Sequence, residues 1–313
     1  MQNILGKIKH FIVFSRFGRN YRPDTPKAAS IFYKIMTIIH NSEFKERKKY
    51  LETINDKIDP KIGYKIINQS QIFQDLETQN ALSALKENYA KINWEDTSEF
   101  KKPFLRTKKI EISIELQKIV LKLIPMVSEY IGSLAILQDA LYWYSPNIFN
   151  EEGRSQNWHM DAEDKKQIRV LIPIEDVKED SGPMVVINST DTSKIYNSLQ
   201  SKNKIKYRNE KISDETMQKF NFNHEKIIVE KDQIAFVDTC NCYHYGSRKS
   251  TKPRKLISLQ FTSAFSIFTP IFKRKTKISE FNDRKTQLVF CFIKDNYHKI
   301  KNTKLKKWEL KIL

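Results

Sequence analysis

The sequence predicts an α+β chain, mainly β with flanking helices, in which a largely helical first part leads into an antiparallel β sandwich or barrel. Three observations predict this. Up to about residue 123 apolar residues recur mostly at helical spacing. After Gly132 the texture changes to short β-prone runs at 134–144, 168–174, 184–187, 226–229, 233–237 and 255–262. Turn signals such as Ser145-Pro146-Asn147 and Ser181-Gly182-Pro183 separate these runs, with no long helix between most of them.

The elements follow in order. Residues 1–24 carry Lys7, Lys9, Arg16, Arg19 and Arg22 and no acid before Asp24, with apolar residues close to helical spacing. They read as a basic amphipathic helix, either packed on its own domain or lying on an anionic membrane. With one or two helices over 26–60 they make a helical N-terminal extension of residues 1–60. Residues 61–67 (KIGYKII) read as the strand that opens a main domain spanning 61–270. Residues 74–92 form a helix on Leu76, Ala81, Leu82, Leu85 and Tyr89, and 111–123 another, which Pro125 breaks or restarts. Residues 192–222 are polar and poor in β signal, an insertion or lid that is helical around 213–220. Residues 271–313 form a basic C-terminal segment, with a helix expected over 293–313.

Composition narrows the function classes. The 313 residues are 40% hydrophobic with only 7 Gly, enough for a sizeable core and unlike a low-complexity chain. The net charge of +18 is dispersed among acids except at the C-terminal end, where residues 265–313 hold 13 Lys/Arg against 4 Asp/Glu. No nucleic-acid-binding signature accompanies that charge, so a specific nucleic-acid partner is not expected. Peripheral contact with an anionic membrane through 1–24 or 271–313 is the membrane role the sequence allows. Cys240, Cys242 and Cys291 are too few for a disulfide framework and suit a reducing compartment. No apolar run approaches the ~20 residues of a membrane span, and the N-terminus shows no signal-cleavage pattern. A soluble cytoplasmic protein is expected.

The chemistry concentrates in three places. In Asn157-Trp158-His159-Met160-Asp161, His159 and Asp161 stand two apart, so on a strand both face one side and can take adjacent positions on a metal. His244 follows a β-like run and precedes Gly246. Two His and one carboxylate leave iron positions open for a bidentate oxoacid and O2, although the same set also suits Zn2+. Arg254, ten residues after His244, opens the last predicted strand. Its planar fork matches a carboxylate, and by period two it shares a polar face with Leu256, Ser258 and Gln260. An acid-binding guanidinium beside such a metal triad favours Fe(II) with 2-oxoglutarate over zinc.

These residues, with Leu141-Tyr142-Trp143-Tyr144-Ser145-Pro146, Glu179-Asp180-Ser181-Gly182-Pro183-Met184, Val237-Asp238-Thr239 and Gly63-Tyr64, occur in an order that resembles the phytanoyl-CoA dioxygenase-like oxygenases. The resemblance covers roughly residues 134–262. It implies a double-stranded β-helix (jelly roll, cupin-like), iron on His159, Asp161 and His244, and 2-oxoglutarate held by Arg254. No serine stands two residues after Arg254, a departure from the family; Ser258, four on, and Gln138 are the candidate helpers. Tyr142, Tyr144, Trp158 and Met160 are the candidate substrate-pocket residues. The expected reaction is hydroxylation of a small molecule or conjugated metabolite by O2, with release of succinate and CO2. Asp161 is present where related halogenases carry a small residue, which favours hydroxylation over halogenation. Asn188-Ser189-Thr190 stands where the family often has a Pro-Gly-Ser-His turn.

Two rival readings remain at this level. A catalytically silent jelly-roll binding module with basic ends would not need all of His159, Asp161, His244 and Arg254. A zinc-dependent cupin-type hydrolase or isomerase would not need Arg254. The run Cys240-x-Cys242-x-His244 is a third, weaker metal pattern, without a second ligand pair elsewhere.

Overall fold

The computed structural model describes residues 26–95, 105–146, 154–202, 204–205, 207–248, 250–266, 281 and 283–290. The expected helices over 1–24 and 293–313, and most of the basic surface offered to a membrane, lie outside these residues. In chain order come α1 (Pro26–Ile39), α2 (Asn41–Lys48), β1 (Tyr64–Asn68), α3 (Leu76–Ala90), β2 (Arg106–Lys109), α4 (Ile114–Ile131), β3 (Ile136–Ser145), β4 (Gln167–Pro173) and β5 (Met184–Ile187). They are followed by α5 (Ser189–Ser201), α6 (Asp214–Met217), β6 (His224–Ile227), β7 (Gln233–Asp238), β8 (His244–Tyr245), β9 (Arg254–Thr262) and α7 (Arg284–Phe290). None of these helices is long and apolar enough to cross a membrane.

The strands form two antiparallel sheets, β1-β7-β4-β9-β3-β2 and β6-β5-β8. An isolated bridge between His159 and His244 adds the 158–161 segment to the free side of β8. The inner order β3-β9-β4-β7 facing 158–161-β8-β5-β6 is that of a double-stranded β-helix. β1 and β2 extend the larger sheet at its edges. β2 (RTKK) had no β signal, since three of its four side chains are charged. It is an edge strand, where charge guards against further pairing.

Alternation on the large sheet separates two environments. Ile168, Val170 and Ile172 on β4, and Ile257, Leu259 and Phe261 on β9, bury one face against α3 and α4 in the main core. The opposite face, with Leu171, Ala235, Val237 and Leu256, turns toward Met184, Val186 and Ile227 of the small sheet. The site lies between the sheets on this inner face.

The helical support is capped at both ends. Ser113 accepts the N–H of Leu116 at the start of α4, and Gly132, at φ 87°, ends it in a left-handed turn that few other residues adopt. Pro125 neither breaks nor restarts this helix, contrary to the expectation; α4 runs through it. The missing N–H and ring clash cost about 3 kcal/mol. The apolar stripe on both sides, Leu116, Ile119, Val120, Leu123, Val127 and Tyr130, is almost fully buried, and each such side chain contributes about 1.5–3 kcal/mol. Burial therefore prevails.

The polar stretch 192–222 is also more ordered than its composition suggested. Asn188, at the departure from the family turn, accepts the N–H of Asp191 and caps α5. Ile195, Tyr196 and Leu199 of that helix join Ile205, Ile212 and Met217 in a second core with Trp158, Met160 and Tyr243.

Candidate metal centre

His159 and His244 stand directly opposite each other and exchange both backbone hydrogen bonds, 3.0 and 2.9 Å. Their rings lie on the same side, with centroids 4.3 Å apart. Asp161, two residues on, is fixed by its N–H donating to the Thr239 carbonyl at 2.7 Å and returns to the same face. One ligand atom from each of the three lies within 4.8 Å of the others, close enough to hold one metal ion.

Protonation suits that role. The Nδ1 of His159 is 2.8 Å from the Asn157 carbonyl, and that of His244 is 3.0 Å from the Cys242 carbonyl. A carbonyl only accepts, so Nδ1–H donates in both rings and each Nε2 keeps its lone pair for a metal. Burial, the neighbouring His244 and Lys211 hold His159 well below the usual histidine range. Burial also lowers His244, which Asp161 opposes. For Asp161 burial alone would raise the carboxyl, but His244, Arg169, His159 and the Thr239 hydroxyl outweigh it and keep it ionised. Neutral imidazoles beside a carboxylate are the states that bind metal.

A closed ring of polar side chains steadies Asp161. Gln167 Nε2 donates to Asp161 Oδ2 at 3.0 Å and to Thr239 Oγ1 at 2.7 Å. Gln260 Nε2 donates to Gln167 Oε1 at 2.7 Å, and Arg169 Nη2 donates to Gln260 Oε1 at 3.0 Å. Arg169 Nη2 closes the ring 3.6 Å from Asp161 Oδ2. Both neighbours converge on Oδ2. Gln167→Leu removes the support and takes the acceptor from the Gln260 amide. The expected result is a 10–100-fold loss of divalent-metal affinity, read by anaerobic Co(II) titration, with circular dichroism unchanged. Metal affinity equal to wild type in a folded variant would show that the ring has no hold on the ligand.

A cavity of about 190 Å3 opens on the triad, lined by His159, Asp161 and His244 with Trp143, Arg169, Ser247 and Arg254 among others. Arg254 is only 6% exposed. Its Nη1 donates to the Gly182 carbonyl at 2.7 Å, and its Nη2 to Ser247 Oγ at 2.6 Å and Ser145 Oγ at 3.3 Å. Among the described residues its Nε has no acceptor. Burial pushes the guanidinium down to about 10, and no carboxylate among the described residues opposes that shift. The buried indole N–H of Trp143 also lacks an acceptor among them. The approach to Arg254 is tight: a Cβ on Gly246 would lie 3.3 Å from Nη1. Ser247 adopts φ 60°, an uncommon conformation for serine, while its hydroxyl meets the arginine.

The remaining candidate residues are not brought to the cavity. Ser258 Oγ accepts from Arg169 Nη1 at 3.1 Å and does not adjoin Arg254. Gln138 sits at the bulge of β3, outside the cavity lining. Tyr142 and Tyr144 point to the outer side of β3. The Tyr142 hydroxyl donates to the Leu85 carbonyl at 3.0 Å, and Tyr144 stacks on Trp94. Trp143, between them, faces inward. Trp158 and Met160 alternate with His159 and Asp161 and pack into the second core. Cys240 and Cys242 are free, buried thiols held well above the usual range by burial, outside the metal triad.

No protein-family model matches the chain, and no curated protein matches it. Solved structures do resemble it. The epimerase SnoN in complex with Fe3+, alpha ketoglutarate and nogalamycin RO is 11% identical over 72% of this chain and 85% of its own, with a TM-score of 0.46. EctD from S. alaskensis in its apoform is 14% identical over 68% and 80%, TM-score 0.45. HygX from Streptomyces hygroscopicus with nickel and 2-oxoglutarate bound is 12% identical over 65% and 84%, TM-score 0.44.

Proposed function

We propose that the protein is an Fe(II)- and 2-oxoglutarate-dependent dioxygenase that oxidises a small molecule, hydroxylation being the expected outcome. One observation carries this reading: the cavity that opens on His159, Asp161 and His244 also contains Arg254, a buried guanidinium that among the described residues has no countercharge and no acceptor for its Nε–H. Two His and one Asp alone would serve zinc as readily as iron. A buried cation needs an anion, and a carboxylate brought by a dicarboxylic cosubstrate supplies one within reach of the metal face. The order of motifs that resembles the phytanoyl-CoA dioxygenase-like family supports the same reading.

In this reading Nε2 of His159, Nε2 of His244 and the carboxylate of Asp161 hold the iron, and Arg254 holds the far carboxylate of 2-oxoglutarate. When bound with O2, iron in such a site couples decarboxylation of 2-oxoglutarate to succinate with oxidation of the substrate. The protein's part is to keep both imidazoles neutral, Asp161 ionised and the cosubstrate in one orientation. Residues 192–222, packed over Trp158 and Met160, would form the cover of the substrate side. A reducing cytoplasm would suit the free thiols.

The test is spectroscopic. Anaerobic addition of Fe(II) and 2-oxoglutarate to the full chain is expected to give a weak visible charge-transfer band, because the oxoacid chelates the metal. A folded protein that binds Fe(II) but shows no such band overturns the proposal.

A further inference from the structure

We propose that the ion pair between Arg248 and Asp214 couples the 192–222 insertion to Arg254, which makes Arg248 a positioning residue that sets 2-oxoglutarate affinity from outside the cavity. This inference rests on the Fe(II)/2-oxoglutarate reading of the same site.

The fork of Arg254 depends on one turn. Ser247 Oγ accepts its shortest hydrogen bond, 2.6 Å from Nη2. Ser247 does so at φ 60°, a conformation that strains a serine and persists only where the surroundings hold it. Part of that hold is its own backbone. The Ser247 N–H donates to the Gly182 carbonyl at 3.2 Å, and the Ser247 carbonyl accepts from Gln156 Nε2 at 2.6 Å.

The next residue supplies the rest. Arg248 Nη1 donates to both carboxylate oxygens of Asp214, at 2.9 and 2.7 Å, and its Nε donates to the Gln156 carbonyl. The guanidinium lies over the Tyr245 ring, 3.7 Å from the centroid, and Tyr245 meets Trp158 edge to face. The Arg248 side chain is 8% exposed, and Asp214 is its one acidic partner within ion-pair distance among the described residues.

Asp214 stands on a fixed part of the insertion. Ser213 accepts the Thr216 N–H and caps α6. Ile212 and Met217, on either side, are buried in the second core, and the Ile212 N–H donates to the Trp158 carbonyl at 2.8 Å. Ser247 and Arg254 line the cavity, whereas Arg248 and Asp214 are not among its lining residues. The pair therefore acts on the cosubstrate through Ser247.

Breaking the pair frees the chain just after Ser247. Residue 247 then relaxes toward negative φ and takes its hydroxyl from Arg254 Nη2. Arg254 keeps its charge and its contact with Gly182, but its orientation is no longer set in advance, so a carboxylate binds at a greater cost in order. His159 and His244 keep their main-chain pairing, so the metal is not affected.

The test uses the full chain with Fe(II) in the absence of O2, titrated with 2-oxoglutarate and read by the charge-transfer band. Asp214→Asn is nearly isosteric. It should weaken 2-oxoglutarate about threefold to tenfold, within the range of coupling between neighbours in one network, with Fe(II) affinity unchanged. Arg248→Gln should do the same from the other side, and Asp214→Glu, which keeps the charge, should bind close to wild type. Ser247→Ala provides a readout that a merely structural role would not move. Because the ion pair acts through that hydroxyl, Asp214→Asn should add nothing to Ser247→Ala in the double variant. Wild-type affinity in both Asp214→Asn and Arg248→Gln, full additivity with Ser247→Ala, or equal loss of Fe(II) and 2-oxoglutarate overturns the inference and leaves the oxygenase reading standing. A folded wild type that binds Fe(II) without giving the band would instead remove the reading beneath it.

Discussion

His159→Ala is expected to abolish Fe(II) binding at micromolar metal and turnover with it, while the chain stays folded. His159 holds its place by exchanging main-chain hydrogen bonds with His244, and alanine keeps both. The lost imidazole is neutral and has one hydrogen bond, to Asn157, so the variant should lose about 1–3 kcal/mol of stability. The metal loses one of three protein ligands. That cost should exceed the 10–100-fold typical of supporting contacts. Anaerobic Fe(II) titration reads it directly, and thermal unfolding reads it independently. Metal that binds only the folded state raises the wild-type transition by linkage and leaves that of the variant unmoved. Cys240→Ser is the matched control. If the soft-metal pattern Cys240-x-Cys242-x-His244 held the ion, the serine variant would lose it and His159→Ala would retain it.

How much of this site was legible in the sequence depends on whether its geometry is local. His159 and Asp161 were readable because two-residue spacing on a strand is a statement about neighbours. The inward face of β9 was readable for the same reason. That period, carried through consistently, would also have placed Trp158 and Met160 in the core and put Trp143 in the cavity instead of Tyr142 and Tyr144. It would have found Gln167 and Arg169, polar residues that alternate with Ile168, Val170 and Ile172. The aromatic richness of 141–144 hid the alternation there, since every residue of the run suits a buried strand. α5 was hidden by composition: Asn188 is an ordinary cap, and Thr192, Ile195, Tyr196 and Leu199 make a helical stripe, but the polar residues between them read as loop. The cradle of Arg254 was not legible at all. Gly182, Ser145 and Ser247 come from the end of β3 and two separate turns, and only the closing of the two sheets brings them to one guanidinium.

Arg254→Met is expected to weaken 2-oxoglutarate binding by two to three orders of magnitude and to leave Fe(II) affinity unchanged. Truncating one partner of a buried, hydrogen-bonded charge pair costs about 2–5 kcal/mol, or roughly 30-fold to several thousand-fold. The environment of Arg254 places it near the middle of that range. It is buried, no carboxylate partner stands beside it among the described residues, and three neighbours already hold its fork in position, so little order is lost when a carboxylate arrives. Stability without the cosubstrate should change little. Methionine removes an unpaired buried charge, a gain, and takes the charged donor from the Gly182 carbonyl, which keeps the Ser247 N–H, a partial loss. Arg254→Lys keeps the charge but not the fork and should fall between the two. The measurement is 2-oxoglutarate affinity from the Fe(II) charge-transfer band, with succinate release following the same order. Arg169 supplies the contrast, because both guanidiniums line one cavity and, among the described residues, only Arg169 has an acid within ion-pair distance. Should Arg254→Met bind 2-oxoglutarate as the wild type does while Arg169→Met fails to, the cosubstrate lies toward Asp161 and Arg254 is not its clamp.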